Sequence, residues 1–355
     1  MDWRELAGAP LPWGNRDVTQ AVILTRLLAF RNFAGLPFVA SAPPNLCAAA
    51  ADRALSLLSR AAAPAPVRLS DCPARSIRLL REREILPGRA VAFPGKKAFK
   101  HFSCAVDGST WTLINEVEHL TFGRLLPGCP TPETAGFPGP PPAADGEAWA
   151  SLPQYGYLAS DPGRIGPAVA VEQILHLPGL ALARQLPAAR NYLASLGIAF
   201  QPATPATVSV PGPADTGLFR VASHGTLGRT PTETYAAHLA ALAPVLRREL
   251  SARTAVRDGH PKRLKSRVEL SLKRLSESRS LSHTDMLADL SMLRLGAAAG
   301  LLPPEFEALA EYLRVTVASG HLAVSSGKDM SQEEEDFSRA NVVRLSLEKY
   351  RVAGI

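Results

Sequence analysis

The sequence predicts a protein of the α+β class, because it contains both strand-like stretches and helices with recognisable start signals. Residues 155–158 form an aromatic-rich, strand-like run, and the Asp-Pro-Gly sequence at 161–163 is typical of a turn. Residues 21–38 also begin like a strand. Residues 230–233, Thr-Pro-Thr-Glu, have the pattern of a helix N-terminus in which Thr230 is the N-cap.

Composition indicates a large globular protein of two domains. The chain has 355 residues, of which 46% are hydrophobic and 20% charged, so it can bury a sizeable core. No apolar run reaches membrane-spanning length, and the N-terminus lacks the basic-then-apolar order of a signal peptide. We therefore expect a cytoplasmic protein without membrane contact. The net charge of +7 indicates an anionic partner, such as phosphate, a nucleotide or nucleic acid.

The four cysteines are widely spaced and include no CxxC pair. They are Cys47, Cys72, Cys104 and Cys129. Zinc sites and disulfide frameworks need thiols at characteristic spacings, so we predict reduced, mostly buried cysteines and no metal site.

Further helices and one long loop are predicted from periodicity and composition. A helix is expected over residues 46–62, with Asn45 as its N-cap. Residues 168–177 have apolar side chains at helical spacing, and a second helical run over 180–196 ends at Gly197. Residues 126–146 are dense in Pro and Gly and should form a loop without a helix. This loop either covers a cleft or is a surface excursion, and the second is favoured.

A strongly basic segment, residues 247–279, follows the helix that begins at Thr230. It either binds nucleic acid or forms the solvated face of a helix whose Leu and Val side chains pack inward. We favour the second interpretation, because basic runs are weak motifs and no aromatic side chain is interleaved for base stacking. Ser282, with Asp285 three residues later, is the predicted N-cap of a helix over residues 281–302.

Several blocks of the chain resemble one known family. Residues 155–181, YGYLASDPGRIGPAVAVEQILHLPGLA, keep the frame of the GYLTSCPTNxGTGLRASVMLHLPAL block of ATP:guanido phosphotransferases. Residues 111–120, WTLINEVEHL, are similar to the family's VNEEDHLR block. The resemblance extends over residues 21–347, and its helical tail is similar to that of the bacterial, McsB-like protein-arginine kinases.

The resemblance implies a specific α+β architecture. Residues 1–235 would form a guanido-kinase-like catalytic lobe, an antiparallel sheet flanked by helices. Residues 236–355 would form an all-helical C-terminal domain.

The resemblance also indicates where ATP phosphates would be held. In the family, arginines on the first strand bind phosphate, because the guanidinium presents a planar fork of donors. Thr25 and Arg26 match that motif, although Arg26 is equally well explained as a surface residue on a half-buried strand. The candidate nucleotide-binding residues are Thr25, Arg26, Arg83, Arg124 and Arg164.

At other phosphate-binding positions of the family, the side chain that would bind phosphate is replaced. The family's arginines are replaced at Leu28, Thr121 and Ala170. Glu84 takes the place of a histidine, and a carboxylate beside a nucleotide would repel phosphate. The basic run at residues 96–101 is interpreted as a solvated turn, with phosphate attraction as the less favoured alternative.

The catalytic carboxylates of the family are also changed. One of them is Val117 here, leaving Glu116 and Glu118 as the candidate catalytic residues. If this segment is a strand, both would face away from Val117. The family's guanidinium-contacting cysteine is Asp161. Residues 203–215 contain neither Arg nor Glu, so the loop that carries the family's second glutamate has lost its chemistry.

A last block near the C-terminus resembles the family's RDxxRA phosphoarginine-sensing motif. Asp336, Arg339 and Ala340 align with it, whereas Glu335 replaces its leading arginine. Asp336 and Arg339 are the candidate phosphoarginine-binding residues. The exchange of Arg for Glu should weaken phosphate binding.

Two functions remain open, and the first is favoured. The first is a catalytically inactive or impaired pseudokinase with a regulatory, protein-binding role, because losing single electrostatic donors already costs ~10²–10³ in rate. Its expected partners are proteins bearing arginine or phosphoarginine, a clamp-type adaptor, an active kinase, or a second copy in a homodimer. Nucleic acid is not an expected partner. ATP with Mg²⁺ is the implied cofactor, although the losses argue against its binding.

The second function is an active ATP-dependent protein-arginine kinase with a rebuilt site. One of three glutamates would supply the carboxylate, and arginines would hold the phosphates. The glutamates are Glu116, Glu118 and Glu172, and the arginines are Arg26, Arg83, Arg124 and Arg164.

Overall fold

The structure is a computed structural model that describes residues 1–14, 21–87, 97–141, 146–203, 216–223 and 225–351. An eight-stranded antiparallel sheet has the strand order β2-β3-β4-β5-β1-β8-β10-β9, and β6 and β7 form a separate hairpin. The strands are β1 (Val22–Arg31), β2 (Val67–Arg68), β3 (His101–Cys104), β4 (Thr110–Ile114), β5 (Leu120–Pro127), β6 (Ser151–Leu152), β7 (Gly156–Tyr157), β8 (Val169–His176), β9 (Ile198–Pro202) and β10 (Leu218–Ser223).

Helices cover the sheet and make up most of the C-terminal part. They are α1 (Trp3–Gly8), α2 (Pro44–Arg60), α3 (Ala74–Glu82), α4 (Pro132–Ala135), α5 (Pro178–Leu182), α6 (Leu186–Ser195), α7 (Pro231–Gly259), α8 (Pro261–Glu277), α9 (His283–Ala298), α10 (Glu305–Thr316), α11 (Ser319–Ser326) and α12 (Gln332–Arg351). This arrangement confirms the predicted α+β class and its antiparallel sheet flanked by helices. None of the described helices is long and apolar enough to cross a membrane.

Strand β1 lies in the middle of the sheet, and every residue of it except Arg31 is buried. It pairs with β5 on one side and with β8 on the other. Side chains of a strand alternate between the two faces, and residues directly opposite on neighbouring strands share a face. Arg26 and Leu28 therefore point to one face of the sheet, and Thr25 and Leu27 to the other.

The two faces pack against different helices. On the face of Arg26, Leu28 belongs to a core that includes Leu79 and Leu80 of α3 and Val315 of α10. On the opposite face, Leu27 packs with Tyr235 of α7. The C-terminal helices thus contact the sheet directly, on the face where the first strand carries its arginine.

The C-terminal helices α8 to α12 have a core of their own, which includes Leu264, Leu293 and Phe306. The predicted capping box at the start of α7 is confirmed, since Thr230 and Glu233 cap each other's backbone. The Ser282 cap of α9 is confirmed too. The boundary predicted between residues 235 and 236 falls inside the continuous helix α7 and stays a prediction.

Two predicted elements are wrong. Residues 168–177 were predicted as a helix but contain strand β8, almost all of whose side chains are buried. A strand buried on both faces is a continuous apolar run, and periodicity alone does not separate it from a buried helix. Residues 115–119 were treated as a strand but form the turn between β4 and β5, in which Asn115 has φ +54°. The predicted alternation of side chains around Val117 therefore does not apply.

Smaller differences affect helix ends. Helix α2 starts at Pro44 after Pro43, so Asn45 is not its N-cap. The predicted loop over residues 126–146 contains the short helix α4, and its residues 142–145 lie outside the described part. The run over 180–196 is divided into α5 and α6, and the strand predicted at 155–158 is the short β7.

The basic run at residues 96–101 is only partly described, and its described end is not a solvated turn. Lys100 and His101 are buried, and the Lys100 Nζ lies 3.6 Å from Glu116 Oε1. All four cysteines are free thiols; Cys47 and Cys104 are buried, and Cys72 and Cys129 are half-buried.

Candidate active-site region

Arg26 is buried on the face of the sheet that packs against α3 and α10. Its Nη1 donates to Glu172 Oε2 at 3.2 Å, its Nη2 donates to the carbonyl of Ile85 at 3.1 Å, and its guanidinium lies 5.3 Å from the ring centre of Trp111. Burial lowers the pKa of Arg26, and Glu172 opposes that shift. The alternative that Arg26 is a surface residue is therefore wrong.

Glu172 stands directly opposite Arg26 on β8 and also pairs with β10. Its Oε2 accepts from Arg220 Nη1 at 3.2 Å. Burial favours the neutral acid, but Arg26 and Arg220 outweigh it and hold the pKa of Glu172 below its ordinary value. The carboxylate therefore stays ionised between two guanidinium groups.

Arg220 connects the sheet to the segment after α3. Its second terminal nitrogen donates to Glu84, whose backbone has a positive φ of +58°. Burial opposes the charged form of Arg220, but Glu84 and Glu172 outweigh it and raise its pKa. Arg220 is thus fixed between two carboxylates.

The same chain of charges continues into the C-terminal helices. Arg314 Nη1 lies 3.9 Å from Glu84 Oε1, and Arg314 Nη2 donates to Glu311 Oε1 at 2.7 Å. Arg294 on α9 donates to Glu311 at 2.9 Å and to Glu307 at 3.2 Å. We call the eight side chains the charge network: Arg26, Glu172, Arg220, Glu84, Arg314, Glu311, Arg294 and Glu307.

The charge network is internally balanced, with four arginines and four glutamates. Trp13 adds a donor from the N-terminal segment, since its Nε1 donates to Glu311 Oε1 at 2.7 Å. Buried ion pairs are costly unless each charge is paired and hydrogen-bonded. Here every arginine contacts a carboxylate, so the network links the sheet to α9 and α10 without a net charge.

An apolar surface adjoins Arg26 on the same face of the sheet. Leu28 and Ala170 face each other across β1 and β8, are 5% and 4% exposed, and belong to one hydrophobic core. The Trp111 ring covers Gly123, where an added Cβ would lie 2.0 Å from the ring. Leu28 and Ala170 offer no donor to an anion, and the polar group on this surface is the Trp111 Nε1–H, which has no hydrogen-bond partner among the described residues.

Two of the five candidate nucleotide-binding residues lie on the opposite face of the sheet. Thr25 is paired with Gln173 and donates to the carbonyl of Gly128 at 2.7 Å. Arg124 stands opposite Leu27 and donates to the carbonyl of Gly136 at 3.2 Å. The structure therefore does not bring them together with Arg26.

Two other candidates have partners of their own. Arg83 is 1% exposed and donates to the carbonyls of Ala9, Pro10 and Asp107, so it ties the N-terminal segment to the sheet. Burial lowers its pKa to about 10. Arg164 lies on the face of Arg26, with its guanidinium 4.4 Å from the Phe30 ring centre and its Nε 3.3 Å from Asp161.

The candidate carboxylates at the β4–β5 turn have partners outside the charge network, although Glu116 is near enough to Arg26 to favour its charged form. Glu118 is fully buried and accepts from Asn32 Nδ2 at 2.7 Å, from Ser160 Oγ at 2.7 Å and from the Ser160 backbone. It joins three segments of the fold. Glu116 is paired with Lys100 at 3.6 Å.

Comparisons with known proteins agree on one family. The model of the protein-arginine kinase McsB C-terminal domain matches residues 261–353. A protein-arginine kinase from Exiguobacterium sp. is 30% identical over 249 residues, 68% of this chain and 70% of that protein. One from Moorella thermoacetica is 29% identical over 348 residues, 94% of this chain and 96% of that protein. The chain belongs to the protein-arginine kinase family.

Solved structures of guanidino kinases share the fold of this protein-arginine kinase family member. Lombricine kinase covers 72% of the chain with a TM-score of 0.51 and 12% identity, and 71% of that chain is matched. A duplicated taurocyamine kinase from Schistosoma mansoni, with bound transition state analog components, covers 68% of the chain with a TM-score of 0.51 and 14% identity. The match spans 34% of that chain. At these identities the likeness concerns the fold.

In this protein-arginine kinase family member, the candidate phosphoarginine-binding residues are joined to each other. Arg339 is 0% exposed; it donates to the carbonyls of Val317 and Leu281 at 3.1 and 2.9 Å, and to Asp336 at 2.5 Å. Glu335 lies 3.7 Å from Arg339 Nη2 and accepts from Ser319 Oγ at 2.5 Å.

Three arginines of the charge network were not among the candidates from the sequence: Arg220, Arg294 and Arg314. Arg220 lies on β10, just after Leu218 and Phe219, where the resemblance to the family resumes. Strand alternation from Leu218, a core residue, would have placed Arg220 on the inner face. Arg314 lies in a helix far along the chain, and no local pattern connects it to the sheet.

Proposed function

We propose that this protein is a regulatory, protein-binding member of the protein-arginine kinase family that does not transfer phosphate. The observation that carries the proposal is that Arg26, which matches the first arginine of the first-strand motif, is already paired with Glu172. Arg220 beside it is shared between Glu172 and Glu84. A phosphate would have to compete with two fixed carboxylates for these guanidinium groups.

Electrostatics argues against ATP in this region. Two like charges about 4 Å apart repel by about 4 kcal/mol at an effective dielectric constant of 20. A phosphate brought close to Arg26 and Arg220 would meet that repulsion from both Glu172 and Glu84. Leu28 and Ala170 supply no compensating donors. The residues present therefore do not fit the phosphates of ATP or the Mg²⁺ that accompanies them.

The hydrogen bonds and ion pairs of the candidate catalytic carboxylates also argue against phosphate transfer. Glu118 is fully engaged by Asn32 and Ser160, and Glu116 by Lys100. Guanidino phosphorylation needs a carboxylate that can orient the acceptor and take its proton. Neither side chain is available for that role without giving up the contacts that hold its own segment.

The proposed partners are proteins. They are arginine- or phosphoarginine-bearing clients, a clamp-type adaptor, an active kinase of the family, or a second copy of this chain. Recognition of phosphoarginine by Asp336 and Arg339 would require Arg339 to leave four internal contacts, so we favour partners bound at the surface.

A second candidate function is an active ATP-dependent protein-arginine kinase with a rebuilt site. The side chains of Glu172 and Arg220 are 18% and 26% exposed, more than Arg26 or Glu84, so this end of the charge network reaches the surface. Glu172 would then be the carboxylate and Arg26 and Arg220 the phosphate ligands.

An assay of phosphotransfer distinguishes the two functions. The purified chain is incubated with ATP, Mg²⁺ and an arginine-rich acceptor protein, and phosphoarginine is detected by mass spectrometry under non-acidic conditions. The Exiguobacterium relative serves as the positive control, and the Glu172→Gln variant as the matched negative control. We expect no phosphoarginine above the E172Q background. Phosphoarginine that forms with the native chain and disappears with E172Q would establish the active kinase instead.

A further inference from the structure

The whole net charge of the protein lies in one segment. Residues 247–279 contain 11 of the 39 Lys and Arg residues and 4 of the 32 Asp and Glu residues, which gives this segment +7. The remaining chain has 28 of each sign and is balanced. A concentration of charge of this kind steers and binds oppositely charged partners.

Most of these basic side chains are exposed on the last turns of α7 and on α8. Some of them are paired within the helix, such as Lys265 with Glu269 and Lys273 with Glu277. Within the described part of the chain, five others on α7 and α8 have no ion-pair partner, and neither does Arg279 just after α8. The five are Arg247, Arg248, Lys262, Arg263 and Arg267. These five leave an uncompensated positive surface.

One face of α8 combines this charge with an apolar side chain. Arg263, Arg267, Leu270 and Arg274 follow one another at spacings of four, three and four residues, which places them on one side of the helix. Leu270 is 51% exposed although the other face of α8 is buried through Leu264 and Val268. A single exposed leucine needs no explanation by itself. This one lies between Arg267, which has no ion-pair partner in the described chain, and Arg274, which is paired with Asp289.

This face borders a groove of about 310 Å³ between α5, α8 and α9. Leu182, Leu270 and Met292 contribute its apolar lining, and Arg267 and Arg274 stand at its rim. Asp289 also lines the groove, but it is 1% exposed and accepts from Ser271 at 2.8 Å and from Arg274 Nε at 3.0 Å. It therefore presents no free carboxylate to a ligand.

We propose that the α8 face and this groove form a docking site for an acidic segment of a partner protein. An apolar side chain of the segment enters the groove beside Leu270, and its carboxylates contact Arg263 and Arg267. Complementary charges raise the rate of association and align the two partners, and the buried apolar side chain supplies affinity. The site shares no residue with the charge network, so it does not depend on whether the chain transfers phosphate.

An acidic peptide fits this surface better than nucleic acid does. Residues 247–279 contain no Phe, Tyr or Trp, so they offer no platform on which bases could stack. A phosphate backbone would also leave the apolar lining of the groove unused. A protein segment that alternates acidic and apolar side chains satisfies both features.

The test uses the full chain and fluorescence anisotropy. The probe is a fluorescein-labelled peptide rich in Asp and Glu with leucines at helical spacing, and a second peptide has serine in place of leucine. An unlabelled single-stranded RNA of the same charge is the competitor. The variants are Arg263→Glu with Arg267→Glu, and Leu270→Ser. The matched control is Arg190→Glu with Arg229→Glu, which changes the net charge equally at two exposed positions elsewhere.

The expected result has three parts. The leucine peptide binds the native chain and the R190E/R229E control alike. R263E/R267E weakens binding about tenfold and flattens its salt dependence. L270S weakens the leucine peptide roughly tenfold but leaves the serine peptide unaffected.

Three results would overturn the proposal. The first is that no peptide binds at low salt, which would leave a solvated face. The second is that the control weakens binding as much as R263E/R267E, which would indicate a general charge effect. The third is that the RNA binds more tightly than the leucine peptide, which would assign the surface to nucleic acid. Thermal unfolding of each variant confirms that it is folded.

Discussion

Arg26 Nη1 lies 3.2 Å from Glu172 Oε2, and the two residues stand directly opposite each other on the central strands β1 and β8. Arg26 matches a phosphate-binding position of the family's motif, but in this structure its charge is compensated by a carboxylate of the protein itself. The pair is the first link of the charge network that ends on the C-terminal helices. Its role in the fold can be tested separately from any role in catalysis.

Glu172→Gln should destabilise the fold. The substitution removes the carboxylate that lies between Arg26 and Arg220, and breaking a buried ion pair costs about 3–5 kcal/mol. Because Glu172 is partly exposed, we expect a loss of about 2 kcal/mol in the free energy of unfolding, measured by urea denaturation. Glu277→Gln, at an exposed ion pair, should change it by less than about 0.5 kcal/mol. Equal effects of the two variants would refute a structural role for Glu172.

Gly123→Ala should be strongly destabilising, because its Cβ would lie 2.0 Å from the Trp111 ring on a packed face of the sheet. Overpacking of this kind typically costs 1–3 kcal/mol. Gly139→Ala is the control, since nothing lies within 4 Å of its added Cβ. Thermal unfolding of both variants measures the difference. A G123A protein as stable as G139A would mean that the Trp111 ring is free to leave this position.

The protein should lose stability in mild acid through His238. This residue of α7 is 1% exposed, neither ring nitrogen has a hydrogen-bond partner among the described residues, and burial lowers its pKa to about 4. Between pH 6.5 and pH 4 the unfolded chain therefore binds a proton that the folded chain does not. The free energy of unfolding should therefore decrease as the pH is lowered, by about 2 kcal/mol between pH 7 and pH 5 for this group alone.

Denaturant titrations at the two pH values measure that contribution. His238→Leu should reduce the pH dependence by about this amount, although His283, whose pKa burial also lowers to about 4, keeps part of it. If H238L and the native chain respond equally to acid, His238 is not a buried neutral histidine.

Arg339→Ala should cost about 3–5 kcal/mol, because it removes the donor to two backbone carbonyls and the charge partner of Asp336 and Glu335. Arg344→Ala on the same helix is the matched control and should cost less than about 1 kcal/mol, since Arg344 contacts only Asn341 in the described chain. Chemical denaturation compares them. A stable R339A protein that has lost binding to a phosphoarginine peptide would show instead that Arg339 serves a ligand.

The fold was predictable from the sequence because the chain retains residues that determine turns, caps and packing in the family, even where the family's catalytic residues are replaced. Strand and turn signals at residues 155–163 and the caps at Thr230 and Ser282 lie where the structure has them. Strand β8 was mistaken for a helix because it is buried on both faces and has no polar alternation. The local sequence pattern does not show whether a segment will have a neighbouring strand on each side.

The candidate site was only partly predictable. Arg26 and Glu172 were both identified, but their direct pairing depends on the register of β1 and β8, which no local pattern specifies. Arg314 and Glu311 come from a helix more than a hundred residues away along the chain. The paired state of the arginines, on which the proposed function rests, is a tertiary property.

The most direct test of the central claim is ATP binding by the native chain, measured by calorimetry and by thermal shift with and without Mg²⁺. A ligand that binds the folded state at 100 times its Kd raises the free energy of unfolding by about 2.7 kcal/mol. We predict no heat of binding and no shift at millimolar ATP, while the Exiguobacterium relative responds in parallel. Saturable binding of ATP by this chain, weakened by Arg220→Ala, would contradict the claim and show that the paired arginines still open to phosphate.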